Sequence, residues 1–127
     1  MVLSTQNAKR CLTVVAWILY KERVLLVKHK KLGLWLAPGG HVEENELPHI
    51  AAKREFEEET GVKVAIISSV IVPEGTASEY LPVPFLSNLH VINKPRRHSF
   101  CEQHYCFCYF AKVLDDSGLH EQDEGVE

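Results

Sequence analysis

Leu12 to Tyr20 is an almost unbroken run of aliphatic, β-branched and aromatic residues, the pattern of a central strand covered on both faces. Lys21-Glu22-Arg23 interrupts it as a tight polar turn. Val24 to Val27 resumes as a second strand, so the two predict a hairpin, which runs into the basic stretch Lys28-His29-Lys30-Lys31. Gly33 to Gly40 reads as a loop closed by Pro38-Gly39-Gly40. From Glu46 to Thr60 the period becomes helical, with Leu47, Ile50, Ala51 and Phe56 on an apolar side. Asn45 or Glu46 would serve as N-cap, Pro48 falls in the first turn, and Gly61 is placed to end the helix. Val62 to Val72 predicts the next strand, and Pro73 to Pro84 a long loop. Phe85 to Asn93 and Tyr105 to Val113 predict two more strands around a basic turn at Lys94-Pro95-Arg96-Arg97, before a turn at Asp115 to Gly118. Several strands around one mid-chain helix predict an α/β layered fold with a mixed sheet.

At 127 residues and 14.4 kDa the chain is expected to be one domain, 1–127. A hydrophobic fraction of 46% and a charged fraction of 24% exclude low-complexity disorder and coiled coils. The net charge of −3 argues against a general nucleic-acid-binding surface, so no nucleic-acid partner is expected. Lys9-Arg10 ahead of the apolar run resembles a signal peptide, but no small-residue cleavage site follows, and ten residues are too few to cross a bilayer, which takes about 20. No membrane partner is expected. Cys11, Cys101, Cys106 and Cys108 form no C-x-x-C pair and read as small buried apolar side chains. Reduced thiols point to a cytoplasmic setting. His98, Cys101 and His104 fit no standard structural-zinc spacing.

The helix carries the chemistry. Glu55, Glu58 and Glu59 stand at i, i+3 and i+4, so their carboxylates converge on one face. They repel one another, and they lie toward the C-terminal end, where the macrodipole disfavours anions. A solvated acidic face is one reading. A hard divalent cation, which removes both penalties, is the other, with Mg²⁺ and Mn²⁺ preferring such oxygens. Arg54 can pair with Glu58 at i+4. Pro38-Gly39-Gly40 lets the backbone approach a ligand closely, either as a plain turn or with a carbonyl aimed at the metal.

The spacing runs Gly40, five residues, Glu46, seven residues, Arg54-Glu55-Phe56, one residue, Glu58-Glu59, one residue, Gly61-Val62. It resembles the Nudix box at all nine defined positions of the 23-residue motif, and Trp35 to Gly40 resembles the family's lead-in. The resemblance implies a Nudix-type α/β/α sandwich. That fold continues with a further strand and a C-terminal helix, which are expected to be missing from this chain. It also implies a Mg²⁺-dependent pyrophosphohydrolase acting on a nucleoside diphosphate linked to another group, with a nucleoside triphosphate or an oxidised nucleotide as first substrate. By the same resemblance Gly39 (through its carbonyl), Glu55, Glu58 and Glu59 are metal ligands. Arg54 orients the glutamates, Glu46 and Gly40 support the loop, and Glu55 or Glu58 is the expected general base. Glu102, which precedes a strand near the expected cleft, is the candidate replacement outside the box, and reads otherwise as a solvated surface residue.

Lys28 and Arg96, with Lys30 and Arg97 beside them, are candidates for holding phosphates. Trp35 is the candidate for stacking on a base, with Tyr80 and Phe85 behind it. All of these also read as ordinary turn charges or packing groups. The alternatives to an enzyme are a Nudix-fold module that binds a nucleotide without cleaving it, and a domain whose acidic helix docks a basic partner. Oligomeric state is left open, a homodimer included.

Overall fold

The sheet is organised by its longest strand, which lies near the C-terminal end. In the computed structural model, which describes residues 2–29, 32–68, 77–92 and 101–119, a 3₁₀ turn at Leu3–Thr5 precedes β1 (Arg10–Trp17), β2 (Leu19–Tyr20), β3 (Arg23–Val24), β4 (Val27–His29), β5 (Leu34–Leu36) and β6 (Gly39–His41). The helix α1 (Pro48–Thr60) follows, then β7 (Lys63–Ile67), β8 (Leu86–Val91) and β9 (Gln103–Asp115). One edge of β9 pairs with β1 in parallel from Arg10↔Gln103 to Trp17↔Phe110. Its other edge pairs antiparallel with β8 and then with β7. β6 closes the far side, antiparallel to β1. The sheet is therefore mixed, as expected.

The alternation of side chains along β1 and β9 assigns two faces. Val14 and Ala16 of β1, Val64 of β7, and Tyr109 and Ala111 of β9 point to one side and are buried against α1. The helix answers with Ala51, Ala52 and Phe56, all fully buried. Two alanines at the contact allow the helix axis to come close to the strands. The opposite face carries Cys11 and its register partner His104, then Cys106 and Cys108, and then Phe110.

Several elements differ from their sequence reading. The second strand of the first hairpin is shorter than expected: β3 stops at Val24, and Val27 starts a separate ribbon, β4 with β5. Lys21 and Glu22 both adopt positive φ, the geometry that matches the twist of a two-residue hairpin turn. The helix begins at Pro48, not Glu46. Leu47 is its N-cap and offers no side-chain hydrogen bond, so Asn45 and Glu46 do not cap it. Its buried line follows residues 52, 56 and 60, which leaves Leu47 and Ile50 off the contact at 45% and 46% exposure. The C-terminal expectation holds: Gly61 takes φ 75° and its amide donates to the Glu57 carbonyl at 2.8 Å. β7 ends at Ile67, and the turn at Lys94 to Arg97 lies outside the described residues.

Cys11 and Cys101 are joined as a disulfide, which corrects the reading of four unpaired thiols. Cys106 and Cys108 are buried and unbridged, as expected. Burial, and then the neighbouring Cys106, pushes the Cys108 thiol up to about 11, so it is inert. The bridge joins residues 90 apart in sequence. Reduction in the presence of EDTA is therefore expected to lower the unfolding free energy by about 2–4 kcal/mol. Urea titrations of the oxidised and reduced chain measure this, and coincident curves would mean that the pair is not joined in the native protein.

Candidate active site

Two consecutive glycines bring the sheet against the helix. Pro38-Gly39-Gly40 is not a turn, as the sequence suggested: Gly39 and Gly40 lie in β6, opposite Val15 and Val14. The bonds from Ala16 N–H to the Pro38 carbonyl (3.0 Å) and from Val42 N–H to the Leu12 carbonyl (3.2 Å) set the ladder's phase. Gly39 then falls at a position that makes no ladder bond, and its N–H and carbonyl point away from β1. Its amide donates to the Glu59 carboxylate. A Cβ on Gly39 would stand 2.1 Å from the Val14 carbonyl oxygen and 2.9 Å from the Val15 Cα. On Gly40 a Cβ would point to the helix side, 2.6 Å from the Glu55 carboxyl carbon.

Arg54 ties the cluster together. Its Nε and Nη2 donate to Glu46 at 2.7 and 2.9 Å, Nη1 donates to Glu55 at 2.9 Å and to Glu58 at 3.3 Å, and Nη2 also reaches the His41 carbonyl at 3.2 Å. These partners hold the guanidinium firmly charged. The bond from Arg54 keeps the Glu46 carboxyl below the usual range, against the opposing effect of burial. Glu46 also accepts from the Glu43 amide at 3.1 Å, which pins the loop before α1.

The structure brings Glu55 and Glu59 together. Burial, then the charge of Glu55, then that of Glu58 push the Glu59 carboxyl up to about 7, although the Gly39 amide pulls the other way. Glu58 stands apart: its side chain is 60% exposed against 19% for Glu55, and it leans out to Arg54. Glu57, which the sequence reading left without a role, accepts from the Val64 amide at 3.1 Å and pairs with Lys53 and Lys63, so it fastens the helix to β7.

The other candidates are less gathered. Lys28 and Trp35 are exposed register partners across the β4–β5 ribbon. Phe85 stacks on Phe110 at 3.9 Å, and Tyr80 is exposed. Glu102 is exposed and accepts from the Lys9 amide at 3.3 Å. Arg96, Arg97, Lys30 and His98 lie outside the described residues.

A clustered carboxylate set beside an outward-facing backbone carbonyl, arranged on a glycine strand and a helix, is the donor chemistry of a hard-cation site. A sequence model of the NUDIX domain matches residues 9–127, and the chain belongs to that family. Over 55 residues it is 40% identical to the 8-oxo-dGTP diphosphatase of Buchnera aphidicola subsp. Schizaphis graminum (strain Sg), a match covering 40% of this chain and 42% of that protein. Over 49 residues it is 43% identical to a Bacillus subtilis (strain 168) protein, covering 39% of this chain and 33% of the relative. These matches thus span less than half of either relative. A NUDIX-family hydrolase from Clostridium perfringens superposes with a TM-score of 0.73 at 30% identity, over 92% of this chain and 77% of that one.

Two predictions follow from this geometry. Gly39→Ala forces a methyl group into the backbone of β1 and is expected to destabilise the chain by at least about 2 kcal/mol. Gly40→Ala meets only the movable end of Glu55. It is expected to cost less than Gly39→Ala, under about 1 kcal/mol of stability, since the far end of a flexible side chain can shift where backbone cannot. Thermal melts of both variants check the contrast, and equal losses would contradict it.

The second concerns pH. Glu59 titrates from an ordinary value of 4.5 when unfolded to about 7 when folded. The folded state binds that proton more tightly, so its contribution to stability is fully present below 4.5 and is lost as pH rises through 7. Metal-free protein is therefore expected to melt higher at pH 5.5 than at pH 8, and Glu59→Gln is expected to flatten this dependence. A wild-type slope that persists unchanged in the variant would assign it to another group.

Proposed function

We propose that this chain hydrolyses a pyrophosphate linkage in a nucleoside diphosphate attached to another group, using a divalent cation held by Glu55, Glu58, Glu59 and the Gly39 carbonyl. The observation that carries this reading is the pairing of Glu55 with Glu59 against Gly39 and Gly40. Glu59 is kept beside Glu55 at a cost to its own ionisation, a cost that a bound cation would remove. An all-oxygen donor set favours Mg²⁺, with Mn²⁺ as a substitute. When bound, the cation neutralises phosphate oxygens and lowers the pKa of the attacking water.

The chain's own residues do the rest. Arg54 fixes the rotamers of Glu55 and Glu58 through two bonds from one nitrogen. Glu58 is exposed enough to meet a water and to take its proton as general base, with Glu55 as the alternative. Glu46 and Gly40 hold the loop and strand that aim the Gly39 carbonyl. Lys28 and Trp35, adjacent on one ribbon, fit a phosphate and a base, and Arg96 is a second phosphate contact. The similarity to a protein named as an 8-oxo-dGTP diphosphatase supports an oxidised nucleoside triphosphate as the first substrate to test. β1, α1, β7 and β9 share one apolar core, which supports a single domain. No described helix is long and apolar enough to cross a membrane.

Glu58→Gln keeps the shape and removes the charge and the base. Its kcat is expected to fall by about 10²-fold or more, measured with Mg²⁺ on a panel of nucleoside triphosphates that includes oxidised purines. Hydrolysis in ¹⁸O water is expected to label a phosphate-bearing product. A variant within a few-fold of wild type would remove Glu58 from the mechanism, and label on a sugar carbon would overturn the reaction class.

A further inference from the structure

The sheet face that turns away from α1 gathers a second set of donors of different chemistry. Cys11 comes from β1, His41 from the end of β6, and Cys101 from the bend before β9. Their ligand atoms all lie within 4.8 Å of one another. The fold supplies this convergence: β1 is the strand that pairs with both β6 and β9. The amides of Glu102 and Gln103 both donate to the Lys9 carbonyl, at 2.8 and 3.1 Å, which fixes Cys101 beside Cys11. The side chain of His41, opposite Thr13 in register, falls on the same face as Cys11. Two histidines extend the patch: the rings of His41 and His104 meet edge-on at 4.8 Å, and those of His104 and His90 at 5.5 Å.

We propose that Cys11, His41 and Cys101 form a thiolate–imidazole site for a zinc-class divalent cation, and that the disulfide and the metal-bound form are alternative states of the same cysteine pair. Two thiolates and one imidazole suit a borderline-soft cation, whereas the all-oxygen cluster across β6 suits a hard one. The distances agree with this. A tetrahedral zinc with bonds of about 2.3 Å to sulfur and about 2.0 Å to nitrogen places those two ligand atoms about 3.5 Å apart. The Cys101 Sγ and the His41 Nε2 are already 3.8 Å apart. The two sulfurs need to part to about 3.8 Å, and the Cys11 Sγ, within 4.8 Å of the imidazole, needs to close on it; Cys101 lies outside the regular ladder, where a side chain can rotate. His41 is exposed, so the fourth position opens to water.

The exchange balances in two steps. A dithiol reductant transfers two electrons and two protons, breaking the Cys11–Cys101 bond and leaving two thiols and an oxidised dithiol. The divalent cation then displaces two protons from those thiols, and the imidazole joins through its neutral nitrogen. Cys106 and Cys108 take no part, because both are buried among sheet side chains.

The test uses the full chain in its oxidised form and after reduction by a phosphine, with Zn²⁺ titrated in competition with a chromophoric chelator. Co²⁺ serves as the spectroscopic probe. The reduced chain is expected to take up one Zn²⁺ that Mg²⁺ does not displace, and to show a thiolate-to-cobalt charge-transfer band. The oxidised chain is expected to show neither. Cys11→Ala is expected to lose the band. His41→Ala, an exposed position that leaves the disulfide intact for folding, is expected to weaken Zn²⁺ binding at least about tenfold. Replacing Cys106 and Cys108 together by Ala is expected to leave the stoichiometry unchanged. A reduced wild-type chain that binds no Zn²⁺ would overturn the proposal. So would a cobalt band that survives Cys11→Ala, or one that disappears with the inner pair.

Discussion

One guanidinium sets the order of the acidic region. Glu46, Glu55 and Glu58 all place oxygens within 3.3 Å of Arg54, and the His41 carbonyl adds a fourth partner. Without that cation, three carboxylates would repel one another across a junction that has no side-chain cap on its helix. Arg54 thus fastens the loop before the helix to its acidic face from a position two turns inside. It links the loop, the strand β6 and the helix in one planar fork, whose bidentate geometry lysine cannot reproduce.

Close packing of backbone against side chain is the second constraint. β6 can approach β1 this closely only because residue 39 has no side chain, and the bare residue 40 leaves room for the Glu55 carboxylate. The same strand then presents different chemistry on its two sides. Gly40 opens toward the carboxylates, and one residue later His41 points to the sulfurs on the far face.

Much of this was legible in the residues. The helix end at Gly61, the convergence of Glu55 with Glu59, and the long strand near the C-terminal end depend on local spacing, which a sequence displays directly. The failures share a cause. Leu47 and Ile50 match a helical period yet lie off the contact, because the sheet meets the line through Ala52, Phe56 and Thr60. Gly39 and Gly40 look like turn residues, because the strand they pair with lies some 25 positions earlier. The Cys11–Cys101 bond joins residues 90 apart, and no spacing rule announces a pairing made by strand register. The relevant signal was Cys11 and Cys101 flanking the ends of two strands that turn out to be parallel neighbours.

That parallel pairing governs how the molecule can be assembled during synthesis. β1 leaves the ribosome before its partner β9, which begins at Gln103, and the pair closes only after the whole intervening chain has emerged. Loop closure over such a span must precede the contacts that reward it, which places this step late and makes it slow. Until then β1 exposes one unpaired, strongly apolar edge, with only the three residues of β6 to cover the other. The nascent chain therefore carries an unprotected strand until β9 emerges, and this interval is when a chaperone has most to shield.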